Sequence, residues 1–362
     1  MSMKTIDIKV SSPYQVIIGK KLLNDASSYL TPFINQRKVL IVTDENIQAN
    51  HYLERLRDNI KPITEQVESL VIPSGEAQKN FGNVEKIIDL LASHHFSRND
   101  LLIALGGGVI GDLVGFAASI YLRGIDYIQI PTTFLSAIDS SVGGKTAIDI
   151  AQGKNMAGAF HHPVVVLCDV DCFKSLPLHI FEDGCSELIK YAMIMNPELL
   201  KYLMERESPL GPTDTDIEEI VSQCVQMKKA IVLEDEFDLG LRQLLNFGHT
   251  LGHAIEQLSH YEISHGRAVA TGMLVFTHMA YSQGLIDDDL TGSLQKLLKA
   301  YHLLMIDITF SVEDILSTIL NDKKRRGDLI TIVLPEGFGH CELVEIKIDQ
   351  FKDWLIKEWK SL

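Results

Sequence analysis

Short, mostly apolar runs spaced by amphipathic stretches constrain the fold of this chain more than any other feature. Val39-Leu40-Ile41-Val42 and the runs at 69–72, 101–105 and 127–130 have almost no polar face to show to water. Each suits a strand buried on both sides. Amphipathic stretches near 46–60, 80–94 and 111–121 separate them. This β-α-β rhythm predicts a mostly parallel sheet with helices on both faces. Alternation of apolar and polar residues over 5–10 and 14–19 predicts a hairpin or edge pair beside it.

The pattern changes after Leu176-Pro177. Helical periodicity dominates at about 182–195, 215–234, 241–258, 266–283, 290–301 and 348–360, with one strand signal at 329–334. The expected architecture is α/β. A Rossmann-like α/β domain with a mostly parallel sheet spans 1–177, and a mostly α-helical domain spans 178–362. The active site is expected in the cleft between them.

Charge and cysteine content narrow the function classes. A net charge of −15 speaks against a nucleic-acid surface, which needs clustered cations, but allows a local basic pocket. No apolar run approaches the ~18 residues of a membrane span, and the N-terminus lacks a basic-then-apolar signal pattern. Five cysteines without a CxxC pair fit reduced thiols, so a cytoplasmic protein is expected, and the length of 362 residues suits a monofunctional enzyme.

Gly106-Gly107-Gly108-Val109-Ile110-Gly111-Asp112 lies between the strand 101–105 and the helix 111–121. Glycines there let the backbone approach a diphosphate, and the helix start offers free N–H groups. A tight turn without a ligand would give the same glycines. Asp44 ends the 39–42 strand, where a carboxylate can accept from ribose hydroxyls. It precedes the Gly loop instead of following it by about 20 positions, so any dinucleotide fold here has a variant order.

Glu187, His249, His253 and His265 supply the donor types of an open, catalytic metal site of the Glu/His/His kind. His249 and His253 share a helix face. Spacing alone does not decide which two of the three histidines bind. A third group is basic and amide-rich: Lys145, Lys154 and Asn155 flank Gly-rich segments, and Arg123 follows the 111–121 helix. Lys228, Arg242 and Asn246 fall on C-terminal helices, the last two on the side carrying His249. Arg matches carboxylate bidentately and Lys serves phosphate as a point charge, so an anionic metabolite is the expected ligand.

These clusters occur in order with Pro131-Thr132-Thr133, Asp139-Ser140-Ser141-Val142-Gly143-Gly144-Lys145-Thr146, Gly153-Lys154-Asn155 and Ser186-Glu187-Leu188-Ile189-Lys190-Tyr191. The 240–256 run containing Asn246-Phe247-Gly248-His249, then His265-Gly266 and Asp322-Lys323-Lys324, complete the set. Together they resemble the 3-dehydroquinate synthases among the sugar-phosphate cyclases, over nearly the whole chain. The resemblance implies the second step of the shikimate pathway, towards chorismate and the aromatic amino acids. In it, 3-deoxy-D-arabino-heptulosonate 7-phosphate (DAHP) becomes 3-dehydroquinate and phosphate. The implied steps are transient NAD+ oxidation at C5, phosphate elimination, re-reduction, ring opening and intramolecular aldol closure.

It also implies roles residue by residue. Glu187, His249 and His265 would hold Zn2+ or Co2+. Lys145, Asn155, Asn246 and His253 would meet the substrate phosphate, with Arg123 supplied across a homodimer interface. Lys228, Arg242 and Lys323 or Lys324 would meet its carboxylate. Asp139, Lys154 and Lys190 would be further polar site residues. For NAD+ it implies Asp44, Ser74, Gly75, Glu76, Lys79, Gly107, Gly108, Val109, Ile110, Gly111, Asp112, Thr132, Thr133, Asp139, Lys145, Lys154, Cys172, Phe173, Lys174 and Ser175. Arg267, Ala147, Ala157 and His179 depart from the usual family residues, none at a matched ligand position. The alternatives are a related cyclase of the 2-deoxy-scyllo-inosose or 2-epi-5-epi-valiolone type, or a metal-dependent polyol dehydrogenase. The pair Lys228 and Arg242 favours a substrate that carries a carboxylate.

Overall fold

The computed structural model describes residues 3–304, 310–321, 325–326 and 328–359. Lys323 and Lys324 lie outside the described residues. The strands are β1 (Lys4–Ile8), β2 (Tyr14–Gly19), β3 (Lys38–Asp44), β4 (Gln66–Ile72), β5 (Leu101–Gly106), β6 (Asp126–Pro131), β7 (Lys145–Ile150), β8 (Gly153–Phe160), β9 (Val165–Asp169), β10 (Arg325–Arg326), β11 (Leu329–Gly337) and β12 (His340–Lys347). The helices are α1 (Ala26–Ile34), α2 (Glu45–Ala49), α3 (Tyr52–Ile60), α4 (Phe81–Ser93), α5 (Gly108–Ile120), α6 (Leu178–Met195), α7 (Pro197–Glu205), α8 (Ile217–Glu234), α9 (His249–Leu258), α10 (His265–Ser282), α11 (Asp288–Ala300), α12 (Val312–Asn321) and α13 (Ile348–Trp359).

Two compact units result: Met1–Pro177 with Pro212–Phe237, and Leu178–Gly211 with Asp238–Leu362. The first is built on a seven-stranded sheet of order β1-β2-β9-β6-β5-β3-β4. Every pairing is parallel except the β1–β2 edge pair, whose register sets Ile6 opposite Val16. The apolar runs explain why. Val39, Ile41, Leu101 and Ile103 enter one core, while Leu40, Val42, Leu102 and Ala104 enter the other. Each fully buried Leu or Ile contributes about 1.5–3 kcal/mol, so a strand apolar on both faces is stable only between two layers. Helix α8 joins this unit by packing on β1, β2 and a π turn at Ser136–Ser140. Lys20 and Glu218 reinforce that contact at 3.0 Å.

The second unit is helical, with a small antiparallel sheet of order β10-β11-β12. The strand expected at 329–334 is β11, and its partner β12 carries no comparable apolar run.

Several expected elements differ. The stretch 46–60 is two helices, α2 and α3, broken at His51, whose φ is 59°. The stretch 241–258 is also two pieces. A 3-10 turn at Leu241–Asn246 ends before Gly248, which has φ 79°, and only then does α9 begin. Arg242 and Asn246 therefore do not share the helix that carries His249. The Gly-rich segment holding Lys145, Lys154 and Asn155 is the β7–β8 hairpin, not an open loop.

Candidate active site

In the second unit three chain segments bring metal-type donors together. Glu187 lies in α6, and its neighbours 184–194 are all buried. His249 and His265 are the first residues of α9 and α10. The donor atoms of the three all lie within 4.8 Å of one another. Both histidine Nε2 atoms stand 3.4 Å from the same carboxylate oxygen, Glu187 Oε1.

The other ring nitrogens decide how those Nε2 atoms are used. His249 Nδ1 is 3.1 Å from the Phe247 carbonyl and His265 Nδ1 is 3.3 Å from Glu256 Oε2. A carbonyl or carboxylate only accepts, so Nδ1–H donates in both rings. This is the outer-shell arrangement of metal-binding histidines, with each lone pair turned inward. Two imidazole lone pairs and a carboxylate facing one point call for a cation. Burial, then the positive Lys190, pull His249 down to about 3. Burial opposes charge on His265 too, but Glu187 and Glu256 outweigh it and push His265 up to about 10.

His253 is not part of this donor group, although its ring lies beside it. Its ring centroid is 5.4 Å from that of His249 and 6.4 Å from that of His265. Lys190 is fully buried one turn after Glu187, and its Nζ meets Glu187 Oε2. Close helix packing holds the ligands together. A Cβ on Gly272 in α10 would sit 2.0 Å from the Gly248 carbonyl oxygen, so only glycine lets α10 approach the start of α9. Glu256 was not singled out from sequence. The signal was available, since 249, 253 and 256 follow the i, i+4, i+7 spacing of one helix face.

In the first unit, the residues matched to NAD+ gather at one edge of the sheet. Asp44, Ser74–Lys79, Gly107–Asp112, Thr132 with Thr133, and Cys172–Ser175 lie at or just after the C-terminal ends of β3, β4, β5, β6 and β9. That edge of a parallel sheet is where such folds bind ligands. The loop is hooked to β6 by the Thr132 N–H, which donates to the Gly106 carbonyl at 3.0 Å. Asp44 has a structural task as well. Its Oδ1 accepts from Asn46 N at 2.9 Å and Ile47 N at 3.2 Å and so caps α2. Cys172 and Phe173 are buried, and Ser175 Oγ lies 3.0 Å from the Tyr52 hydroxyl. Lys174 pairs with Asp171 at 2.5 Å and is exposed.

The polar residues of this unit form two linked sets. Lys79, only 4% exposed, pairs with Asp112 Oδ2 at 2.6 Å and donates to Asn155 Oδ1. Lys154 faces Glu76 at 3.5 Å. Lys228 of α8 donates to Asp139 twice, at 2.7 Å to Oδ1 and 2.6 Å to the backbone oxygen. Asp139 owes its position to the π turn, a bulge type common at functional sites. Lys145 heads β7 and is exposed. Arg123 is not brought to these groups. It is exposed at the far end of α5 from the Gly loop.

Two family models match adjoining stretches of the chain: 3-dehydroquinate synthase N-terminal over residues 69–183 and 3-dehydroquinate synthase C-terminal over 184–325. The 3-dehydroquinate synthase of Clostridium botulinum (strain Alaska E43) is 41% identical over 349 residues, 96% of this chain and 99% of that protein. The enzyme of that name from Alkaliphilus metalliredigens is 39% identical over 346 residues, 94% and 95% of the two chains. Among solved structures, 2-epi-5-epi-valiolone synthase from Streptomyces hygroscopicus, with NAD+ and Zn2+ bound, superposes with a TM-score of 0.88 at 24% identity, covering 100% of this chain and 99% of that one. 2-Deoxy-scyllo-inosose synthase with carbaglucose-6-phosphate, NAD+ and Co2+ gives 0.87 at 23%, covering 98% and 99%. At those identities the solved structures establish the fold.

Proposed function

This chain belongs to the 3-dehydroquinate synthase family, and from that premise we propose which of its residues do which part of the work. Its function is the family's: conversion of DAHP to 3-dehydroquinate and phosphate, a phosphate-eliminating carbon–oxygen lyase reaction of the shikimate pathway. It uses NAD+ and a divalent metal ion.

The observation that carries the site reading is the convergence of Glu187, His249 and His265 with both outer ring N–H groups already committed. These three hold the metal, which when bound polarises the C5 oxygen during oxidation and re-reduction. The loops at the C-terminal sheet edge bind NAD+. Lys145, Asn155, Asn246 and His253 bind the substrate phosphate, and His253 relays protons. Lys228 and Arg242, with Lys323 or Lys324, bind the carboxylate, which keeps the substrate in one orientation through successive steps. Asp139, held by Lys228, orients polar groups of the substrate. Lys190 pairs with Glu187 and balances part of its charge. The departing phosphate itself takes the proton in the elimination.

Arg123 serves the phosphate of a second subunit. Helix α5 has 13 residues, about 20 Å of rise, which separates Arg123 from the Gly loop of its own chain. A homodimer with shared sites follows from this reading. Mixing two inactive proteins, Arg123→Ala and Glu187→Ala, should then restore up to about a quarter of the activity through heterodimers with one complete site. No recovery after subunit exchange would refute the sharing. No helix among the described residues is long and apolar enough to cross a membrane, and all five cysteines are buried and free. We accordingly place the enzyme in the cytoplasm.

The function is tested by incubating purified protein with DAHP and NAD+, before and after chelation. Equal amounts of phosphate and dehydroquinate, lost with the metal and regained with zinc, are expected with no net NADH. Net NADH without phosphate release would point to a polyol dehydrogenase instead.

A further inference from the structure

We propose that His162 is a positioning residue for the phosphate end of the site, clamping the Gly143-Gly144 turn that delivers Lys145. The proposal rests on the reading of Lys145 as a phosphate ligand.

The turn is held from three sides within the first unit. The Gly143 N–H donates to the Tyr14 hydroxyl at 3.1 Å. The His161 N–H donates to the Gly144 carbonyl at 2.8 Å. The third contact is the His162 ring. Gly144 has φ 68°, and a Cβ there would stand 2.6 Å from His162 Nδ1, so the ring lies flat against the turn. The next residue, Lys145, starts β7.

His162 is itself fixed. Its ring stacks on Tyr14 with centroids 5.6 Å apart and planes inclined by 28°. Its Nε2 lies 3.0 Å from Glu236 Oε1, and a carboxylate only accepts, so Nε2–H donates. Glu236 receives the Ser11 N–H at 3.0 Å and the Ser11 hydroxyl as well. Glu236 follows α8, the helix from which Lys228 holds Asp139. One buried imidazole therefore links the turn before Lys145 to the segment after the Lys228 helix. A side chain needed only to fill space would not require a charge-assisted hydrogen bond at its far edge.

Two substitutions separate the ring from its hydrogen bond. His162→Phe keeps a planar ring against Gly144 and Tyr14 but removes the donor, while His162→Gln keeps a donor. In the metal-loaded, NAD+-bound enzyme, His162→Phe should raise KM for DAHP about tenfold, the order for one lost hydrogen bond to a charged group, with kcat within threefold. His162→Gln should stay within about threefold of wild type in both. Glu236→Ala, which removes the acceptor, should reproduce the KM effect and carries the test if His162→Phe fails to fold.

An unchanged KM in His162→Phe and in Glu236→Ala would overturn the proposal. So would a normal KM in His162→Phe beside a raised KM in His162→Gln, which would mean that the ring acts by packing alone. Lys145→Ala provides the control. If it raises KM and His162→Phe does not, the clamp is wrong. If Lys145→Ala leaves KM unchanged, the phosphate reading of Lys145 is wrong and the clamp falls with it.

Discussion

Glu187→Gln should yield a folded protein that no longer retains zinc and whose kcat falls by about three orders of magnitude. The loss follows from geometry. Glu187 Oε1 is the atom that both histidine Nε2 atoms face at 3.4 Å, so it anchors the donor set. An amide has the same shape but no charge to balance a dication. Polarisation by a metal supplies several kcal/mol to charge developing on oxygen, and about 4 kcal/mol corresponds to ~10³ in rate. Metal content after dialysis and single-turnover phosphate release would check the two halves separately. A Glu187→Gln enzyme that keeps stoichiometric zinc and near-wild-type turnover would refute this donor set. Glu256→Gln should act more mildly, about 10–100-fold on metal affinity, because Glu256 meets His265 at its outer nitrogen.

The same geometry gives a pH dependence with a definite sign. Despite burial, Glu187 and Glu256 raise the pKa of His265, so a proton competes with a metal for the nitrogen between them. Metal affinity should therefore fall as the pH is lowered.

Much of this was legible in the sequence, for a reason visible in particular residues. Runs such as Val39–Val42 leave a strand no solvent face, and Leu40 and Ile41 duly enter opposite cores. Glu187, His249 and His265 declare themselves by donor type, although spacing alone could not exclude His253. The structure groups the donor atoms of Glu187, His249 and His265 within 4.8 Å of one another, a group that does not include His253. Periodicity failed where single residues in left-handed conformation break a continuous pattern. Gly248 separates Asn246 from His249, and His51 divides α2 from α3. It also missed the β7–β8 hairpin, whose strand Gly153–Phe160 is half exposed and rich in Gly and Ala, so no apolar alternation marks it. His162 acts through Glu236, 74 residues away, and local sequence carries no record of that contact.

Lys79 supports the second large expectation. Lys79→Met should lower stability by about 3 kcal/mol and weaken NAD+ binding at least tenfold. Lys79 pairs with Asp112 at 2.6 Å, and both side chains are largely shielded from water. Burial opposes charge on each of them. For Lys79 that cost is overcome, chiefly by Asp112 and Glu76, and its pKa stays raised. For Asp112 burial outweighs the Lys79 attraction and leaves the carboxyl above its ordinary value. Removing the lysine strands a carboxylate in a poorly solvated place, the situation that costs 3–5 kcal/mol when one member of a buried pair is deleted. Some residual exposure of Asp112 puts the estimate at the lower end.

The functional effect follows because Asp112 lies in the first turns of α5, directly after Gly107 and Gly108, while Lys79 also holds Asn155 on the β7–β8 hairpin. Linkage fixes the sign with pH. A carboxyl whose folded pKa is raised is better tolerated protonated, so the deficit of Lys79→Met should shrink as pH falls towards 5 and grow as it rises. Adding Asp112→Asn should recover part of the lost stability, since a neutral amide replaces the stranded charge. Thermal unfolding of the single and double variants at two pH values, with NAD+ titrations alongside, decides the matter. An unchanged melting temperature in Lys79→Met, or strictly additive losses in the double variant, would mean that the pair does not hold the nucleotide loop in place.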